Sequence, residues 1–330
     1  MIYHKIRSDF VSGVRQFIDH NYHHFNAGAL ADCTRSLEGF LDKGGKLIVT
    51  LAGAMSTAEI GRSLAPAIRA GLVHAISCTG ANLEEDLFNL VAHNSYKKVD
   101  WRNLSAEDEL QLQKQGLNRV TDTCIPEAEA IRVVESALLQ QWLTAEKNQD
   151  TKPPHQYLFD ILNSENFEFQ ADPNTSWLIA AVEMQIPIYT PAWADSTLGN
   201  IFSARLIDGT LASDNIITTD LARMGDISSW YQEQESKIGI LQVGGGVAGD
   251  FPVCVVPMLR QDLGEDVDLW GWFAQISEST PSYGGYSGAP PNEKISWEKL
   301  GVKTPKFVIE SDATIVLPLI LAYLMEGLEK

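Results

Sequence analysis

The chain has 330 residues, 45% of them hydrophobic, four cysteines and a net charge of −18. That length accommodates one large α/β domain or two smaller ones around a substantial core. The acidity argues against non-specific attraction to nucleic acid or to an anionic membrane and suits cationic small molecules.

Cys33, Cys78, Cys124 and Cys254 lack a paired spacing, and the segment MIYHKIRSDF has no apolar signal core. A reduced, cytoplasmic setting is expected. The longest apolar run, Thr314 to Met325, is too short for a membrane span and contains Pro318, so it reads as a buried helix. Seven histidines show no HxH or HExxH spacing, and no metal is predicted.

In chain order, Lys5 to Phe40 reads as two covering helices, with Phe10, Val14, Phe17 and Ile18 on one stripe and Leu30, Leu37 and Phe40 on another. Leu47 to Leu51 is an apolar strand that delivers the small-residue turn Ala52-Gly53-Ala54 and then a helix to Ala70. Val73 to Cys78 repeats the pattern into Thr79-Gly80-Ala81-Asn82. Turns at the carboxyl ends of parallel strands are where open α/β sheets bind ligands. Asn94 to Asn118 reads as a polar surface excursion, and Thr123 to Leu143 as a helix with Pro126 in its first turn. A helix over Ser176 to Gln185 and a short strand at Ile186 to Pro191 lead to a third candidate ligand loop, Ala192 to Asn200.

Asp220 to Glu235 reads as a helix. Lys237 to Val243 is a strand ending in Gly244-Gly245-Gly246, a run that lets a backbone approach a dinucleotide although it is not GxGxxG. A helix over Pro252 to Arg260, strands at Asp268 to Ile276 and Lys306 to Glu310, and the apolar C-terminal helix complete the series. Repeated β, loop, α units predict one doubly wound, Rossmann-like, mostly parallel sheet with helices on both faces, spanning residues 1 to 330 with 1 to 40 as a cover.

Between the last two strands lies an unusual segment. Tyr283 to Gly288 is rich in glycine, Pro290 and Pro291 follow, and then come Glu293, Trp297 and Lys299. Such a backbone builds neither a helix nor a central strand. A carboxylate, an indole and an amine within seven residues supply the parts to hold a cation and form a Schiff base beside it. From composition alone the plainer reading is a solvated surface loop.

Five ordered segments resemble deoxyhypusine synthase: Thr79 to Asp86, Pro191 to Gly199, Gly244 to Val247, Ser287 through Lys299, and Ser311 to Ala313. The resemblance covers roughly residues 45 to 325, and Ser296-Trp297-Glu298-Lys299 is its most specific part. It implies an NAD-dependent aminobutyl transfer from spermidine, usually by a homotetramer with active sites and NAD at dimer interfaces. It also implies that Lys299 forms a covalent imine, that Glu293 and Trp297 hold the polyamine, and that Glu84, Asp195, Gly245, Gly246, Ser287 and Asp312 contact NAD, with Thr79 and Gly80 nearby.

Three polyamine-pocket positions depart from the family pattern: Asp250 stands for a histidine, Asn200 for an aspartate and Tyr286 for an aspartate. A kept nucleophile in an altered pocket resembles the divergent bacterial members that pass the aminobutyl group to putrescine and make homospermidine. The alternatives are a true deoxyhypusine synthase with a protein lysine as acceptor, a different donor such as agmatine, and a non-catalytic NAD-binding relative. A plain dehydrogenase would leave the Ser-Trp-Glu-Lys segment without a task.

Overall fold

The computed structural model describes residues 13–164, 168–281 and 284–328. Phe10, in the first apolar stripe, and Tyr283, in the glycine loop, lie outside them. Among the described residues nine strands form two sheets: β1 (Lys46–Leu51), β2 (Ala75–Cys78), β3 (Lys97–Lys98), β4 (Leu117–Val120), β5 (Thr123–Pro126), β6 (Ile188–Tyr189), β7 (Ile238–Val243), β8 (Trp272–Ile276) and β9 (Lys306–Ile309). The main sheet is parallel throughout, in the order β6-β2-β1-β7-β8-β9. The chain winds outward from β1 through β2 and β6, then returns to the other side of β1 and winds outward again through β7, β8 and β9. That is the doubly wound Rossmann order, and its reversal falls between β1 and β7.

Both faces of the sheet are covered, and the strands show why. Leu47, Val49, Leu51, Leu241 and Val243 enter one core with the helices Phe25–Leu41, Gly61–Arg69 and Ala313–Leu328. Ile48, Ile240 and Phe273, offset by one residue, enter a second core with Ile227 and Tyr231 of the helix Asp220–Gln232. Alternate side chains of a strand point to opposite faces, so an unbroken apolar run serves two helical layers.

On the second face, the carboxyl end of the sheet is polar. Ser77, Thr50, Gln242 and Gln275 lie in one register row across four strands, and all are buried. Ser77 Oγ donates to the Ala248 carbonyl at 2.7 Å, Gln242 Nε2 to the Gly249 carbonyl at 3.0 Å, and Gln275 Nε2 to the Ser287 carbonyl at 2.8 Å. This row fixes the helix Gly246–Val253 and the loop at Ser287 over the switch point.

Several elements differ from the sequence expectation. Thr123 to Pro126 is a strand of a three-stranded antiparallel sheet, order β3-β5-β4, and the helix that follows opens as a π-helical turn, Glu127–Ile131, and continues as the α-helix Arg132–Asn148. Cys124 and Ile125 are buried by pairing with β4, a tertiary term that overrides the helical pattern. The surface excursion at 94 to 118 holds the helix Ala106–Lys114, closed by a Ser105/Asp108 capping box. The helix expected from Pro252 begins earlier, at Gly246, directly on the glycine run, and Pro252 sits inside it. Thr197 onward is a helix, Thr197–Ile207, and so ends the third candidate loop at its Ser196 cap. Phe17 is exposed while Ile18 is buried. No helix among the described residues is long and apolar enough to cross a membrane.

The helix Gly80–Ala92 buries three consecutive carboxylates, Glu84, Glu85 and Asp86. Asp86 accepts from the Ser176 hydroxyl, and Glu85 accepts from Thr57 Oγ1 at 2.6 Å. Burial pushes Glu85 up to about 7 and Asp86 up to about 6, with the Glu84 charge adding to the first shift. A carboxyl raised in the folded state favours folding at low pH and loses that contribution as pH rises through its folded value. Glu85→Gln should therefore match the native protein near pH 4.5 and become relatively more stable up to pH 7, by about 3 kcal/mol at most. Urea midpoints of both proteins across that range check it; a pH-independent difference would contradict the burial account.

Candidate active site

Lys299 is placed by a chain reversal. Pro291–Ile295 is a 3-10 turn, Glu298 takes the left-handed conformation at φ 54°, and the Lys299 amide donates to the Lys294 carbonyl at 3.0 Å. A non-glycine residue there is strained by about 1 kcal/mol or more. The Glu298 carboxylate faces Arg260 at 3.1 Å, which holds the turn. The Lys299 carbonyl accepts from the Trp270 amide at 3.2 Å, tying the backbone to the entry of β8. The reversal sends the Lys299 side chain inward, leaving it 9% exposed, while Trp297 stays 60% exposed at the rim.

The side chain enters a cleft of about 610 Å³ whose walls include Asp250, Cys254, Tyr286, Glu293, Lys294 and Trp297. Lys299 Nζ lies 3.1 Å from Asp250 Oδ1 and 5.8 Å from the ring centroids of both Trp297 and Tyr286. The Tyr286 ring forms an inner wall. Its hydroxyl accepts from Gln242 Nε2 at 2.6 Å, and burial raises its pKa. Met224 reaches the cleft from the helix Asp220–Gln232, and Met258 and Gln261 from a π-helical turn. The structure thus brings together Lys299, Trp297, Glu293, Asp250 and Tyr286. Aromatic faces, two carboxylates and an amine in one cleft can receive a flexible cation and present a nucleophile to it.

One residue beyond Tyr286, the loop reaches the switch point. Ser287 Oγ accepts from the Gly246 amide at 3.1 Å. A Cβ on Gly245 would stand 2.3 Å from Ser287 Oγ, so glycine there permits the loop to pack. Gly53 and Gly246, after β1 and β7, have φ of 61° and 62°, and the space on their Cβ side is open. Thr79 caps the helix Gly80–Ala92 and donates to the Gly53 carbonyl at 2.7 Å, closing one wall. The lysine cleft and the switch-point crevice are therefore neighbours, joined through Tyr286-Ser287 and through Asp250, about 6 Å along the helix from Gly246.

The remaining sequence-derived positions lie outside the Lys299 cleft. Glu84 spends both oxygens on the Thr197 and Leu198 amides at 2.8 Å, capping the helix Thr197–Ile207, and burial raises its pKa against those bonds. Gly80 packs on this turn, since a Cβ would lie 2.4 Å from Ser196 Cβ. Asp195 is exposed on the turn, and Asn200 Nδ2 donates to the Ala194 and Ser196 carbonyls at 3.0 and 2.6 Å. Neither Asp195 nor Asn200 lines the Lys299 cleft of the same chain. Asp312 follows β9 and accepts from the Thr314 amide and hydroxyl, both at 2.8 Å.

Two residues that the sequence pattern does not single out occupy key places. Gln242 looks like one more strand residue, yet it holds Tyr286. Lys294 looks like a solvated lysine five residues before Lys299, yet it is buried in the cleft wall. Its position after a Pro-Pro turn, where no helical face exists to carry it into solvent, is the one signal available.

Comparison with known proteins shows the family. The deoxyhypusine synthase family profile matches residues 18–324. The chain is 29% identical over 328 residues to a deoxyhypusine synthase-like protein of Cyanothece sp., covering 94% of this chain and 79% of that one. It is 30% identical over 326 residues to a protein of the same description from Nostoc sp., covering 94% and 81%. Among solved structures, a candidate deoxyhypusine synthase from Entamoeba histolytica shares the fold, with a TM-score of 0.57 at 12% identity over 94% of this chain and 92% of that one. Because the profile spans the sheet, the glycine turn and the Lys299 segment alike, the chain belongs to the deoxyhypusine synthase family, whose members are NAD-dependent aminobutyl transferases.

Proposed function

We propose that this protein takes the aminobutyl unit of spermidine onto Lys299 and passes it to a small amine, putrescine, giving homospermidine. The observation that carries the reading is Lys299 itself, an amine nearly enclosed between Asp250, Tyr286 and Trp297 in a cleft joined to a glycine-lined switch-point crevice through Tyr286 and Ser287.

Glu293, exposed at the mouth, would take the terminal ammonium of the polyamine, and the Trp297 face would lie along its chain. Asp250 holds the Lys299 ammonium in the resting protein. Its carboxylate is free to hold a substrate ammonium once Lys299 is consumed in an imine. Tyr286, fixed by Gln242, would shape the inner end where the family has a carboxylate. That change removes one carboxylate from the inner end, while Asp250 in place of a histidine adds one beside Lys299.

The crevice residues fit a dinucleotide. Gly53 and Gly246 leave open space where side chains would stand, and the helix Gly246–Val253 starts there with its positive end. Gly245, Gly246, Ser287, Thr79 and Gly80 would hold NAD, with Glu84 fixing the Ser196 turn and Asp195 and Asp312 at its flanks. When bound, NAD supplies a hydride acceptor that returns the hydride within the same cycle.

Asn200 stands apart from the Lys299 cleft, so a part for it in the polyamine site would call for a second copy of the chain, as in the tetramer the family implies. Exposed Val247 and Leu221, on the two helices beside the cleft, offer apolar surface for such a copy.

Incubation with NAD and spermidine, with and without putrescine, followed by amine chromatography, tests the acceptor. Homospermidine together with diaminopropane supports the reading. Diaminopropane alone would move the acceptor to a protein lysine, and neither product with any polyamine would point to a non-catalytic NAD-binding relative.

A further inference from the structure

The cleft holds a second lysine that the transfer scheme leaves unused. Lys294 is 3% exposed. Its Nζ lies 4.8 Å from the Tyr286 ring centroid and 5.2 Å from that of Phe273, and it donates to the Ala289 carbonyl at 3.4 Å. Among the described residues no carboxylate comes within ion-pair reach of it, whereas Lys299 has Asp250. A buried ammonium without a counter-charge is costly, and an apolar side chain of similar length would fill the space at lower cost.

The cation–π contact of Lys294 braces the Tyr286 ring. Lys294 lines the same cleft as Lys299 and shares with it the ring of Tyr286. The groups that face it are Glu293 and Lys299 from its own segment, Asp250 from the helix Gly246–Val253, the Tyr286 phenol from the neighbouring turn, and only the Phe273 ring from β8. Burial, then the Lys299 charge, lower its pKa to about 8 against the opposing pull of Asp250 and Glu293. Both protonation states are thus accessible near neutral pH, as a proton carrier needs.

We propose that Lys294 is the base that takes the proton from the incoming acceptor ammonium. This rests on the transferase reading above. The acceptor R–NH3+ gives one proton to neutral Lys294 Nζ and becomes R–NH2. Its lone pair attacks the protonated imine carbon held on Lys299, forming the new C–N bond. The bond to Lys299 then breaks, leaving the protonated imine on R and Lys299 as a free amine. Lys294 passes its proton to that amine, which returns to Asp250 as an ammonium, and both lysines are restored.

The test uses the full chain with NAD, spermidine and putrescine, comparing Lys294→Met, Lys294→Arg and Lys294→Gly. Transfer by the native protein should rise with pH to a plateau with its midpoint near pH 8. Both Lys294→Met and Lys294→Arg should lose about a hundredfold in transfer while a four-carbon adduct still forms on Lys299. Added ethylamine should restore part of the rate of Lys294→Gly. A Lys294→Arg protein with native rate and pH profile would overturn the proposal, because charge or packing alone would then suffice.

A second readout needs no turnover. Competitive acetylation of the native protein without NAD should show Lys294 titrating well below an ordinary lysine; titration near 10.5 would overturn the proposal even if every variant misfolded. Absence of any Lys299 adduct in the native protein would instead overturn the transferase reading, and this inference with it.

Discussion

Lys299→Ala is expected to lower amine transfer by about 10^4-fold or more, because it removes the atom that carries the four-carbon unit rather than one that assists it. Lys299→Arg separates the two roles a lysine could have here. Arginine keeps the positive charge beside Asp250 but does not form an imine, so it should be as inactive as alanine. Neither change should unfold the chain. Lys299 Nζ makes one ion pair, with a carboxylate that is itself partly exposed, and such a pair contributes about 1 kcal/mol or less. Initial rates of diaminopropane release and urea midpoints, measured on the same preparations, check both halves. An arginine variant that retained a tenth of native activity would show that charge, not covalent chemistry, is what the site requires.

The second large effect is expected at the glycine run. Gly245→Ala places a methyl group 2.3 Å from Ser287 Oγ and 2.7 Å from Ser287 Cα. Because one of those atoms is backbone, the strain cannot be relieved by a rotamer change. The loop must move, and with it the Tyr286 ring that walls the lysine cleft. A loss of about 1–3 kcal/mol in stability and of measurable NAD binding is expected together. Gly246→Ala should behave differently. Its Cβ meets nothing, and the cost is the left-handed backbone, about 1–2 kcal/mol. The new methyl would project into the open crevice and weaken NAD while leaving the Lys299 cleft intact. Calorimetric NAD titrations and thermal midpoints of the two variants make the comparison. If Gly245→Ala bound NAD as well as the native protein, the Ser287 loop would have no part in the crevice.

The parallel core was legible because fully buried strands leave a plain mark. Leu47 to Leu51 and Ile238 to Val243 are short, nearly continuous apolar runs that end in small residues, and nothing else fits between two helical layers. The ligand-binding edge followed from the same runs, since each delivers its glycine turn to one edge of the sheet, whereas the strand order that puts the reversal between β1 and β7 comes from pairing alone. The lysine cleft was legible in part. Lys299, Trp297 and Glu293 stand close in sequence, and the prolines that precede them prevent a helix from spreading them around a cylinder.

What could not be read depends on distant partners. The helix Thr197–Ile207 begins where Ser196-Thr197-Leu198-Gly199-Asn200 looks like a turn, and it is stabilised by Glu84, 113 positions away from Thr197. The strand Thr123–Pro126 exists through pairing with β4 and β3. Lys294 reads as a solvated lysine because its burial is created by Tyr286 and Phe273 from other segments. Asp250 stands 49 positions from the Lys299 it binds, so its replacement of a histidine is visible in sequence while its ion pair is not.

Borohydride trapping of the native protein during incubation with NAD and spermidine, followed by peptide mass spectrometry, tests whether Lys299 carries the transferred unit. A four-carbon amine adduct is expected on the peptide containing Lys299, dependent on NAD and absent from Lys299→Arg. A protein that released diaminopropane with no adduct on Lys299, or with the adduct on Lys294 instead, would contradict it.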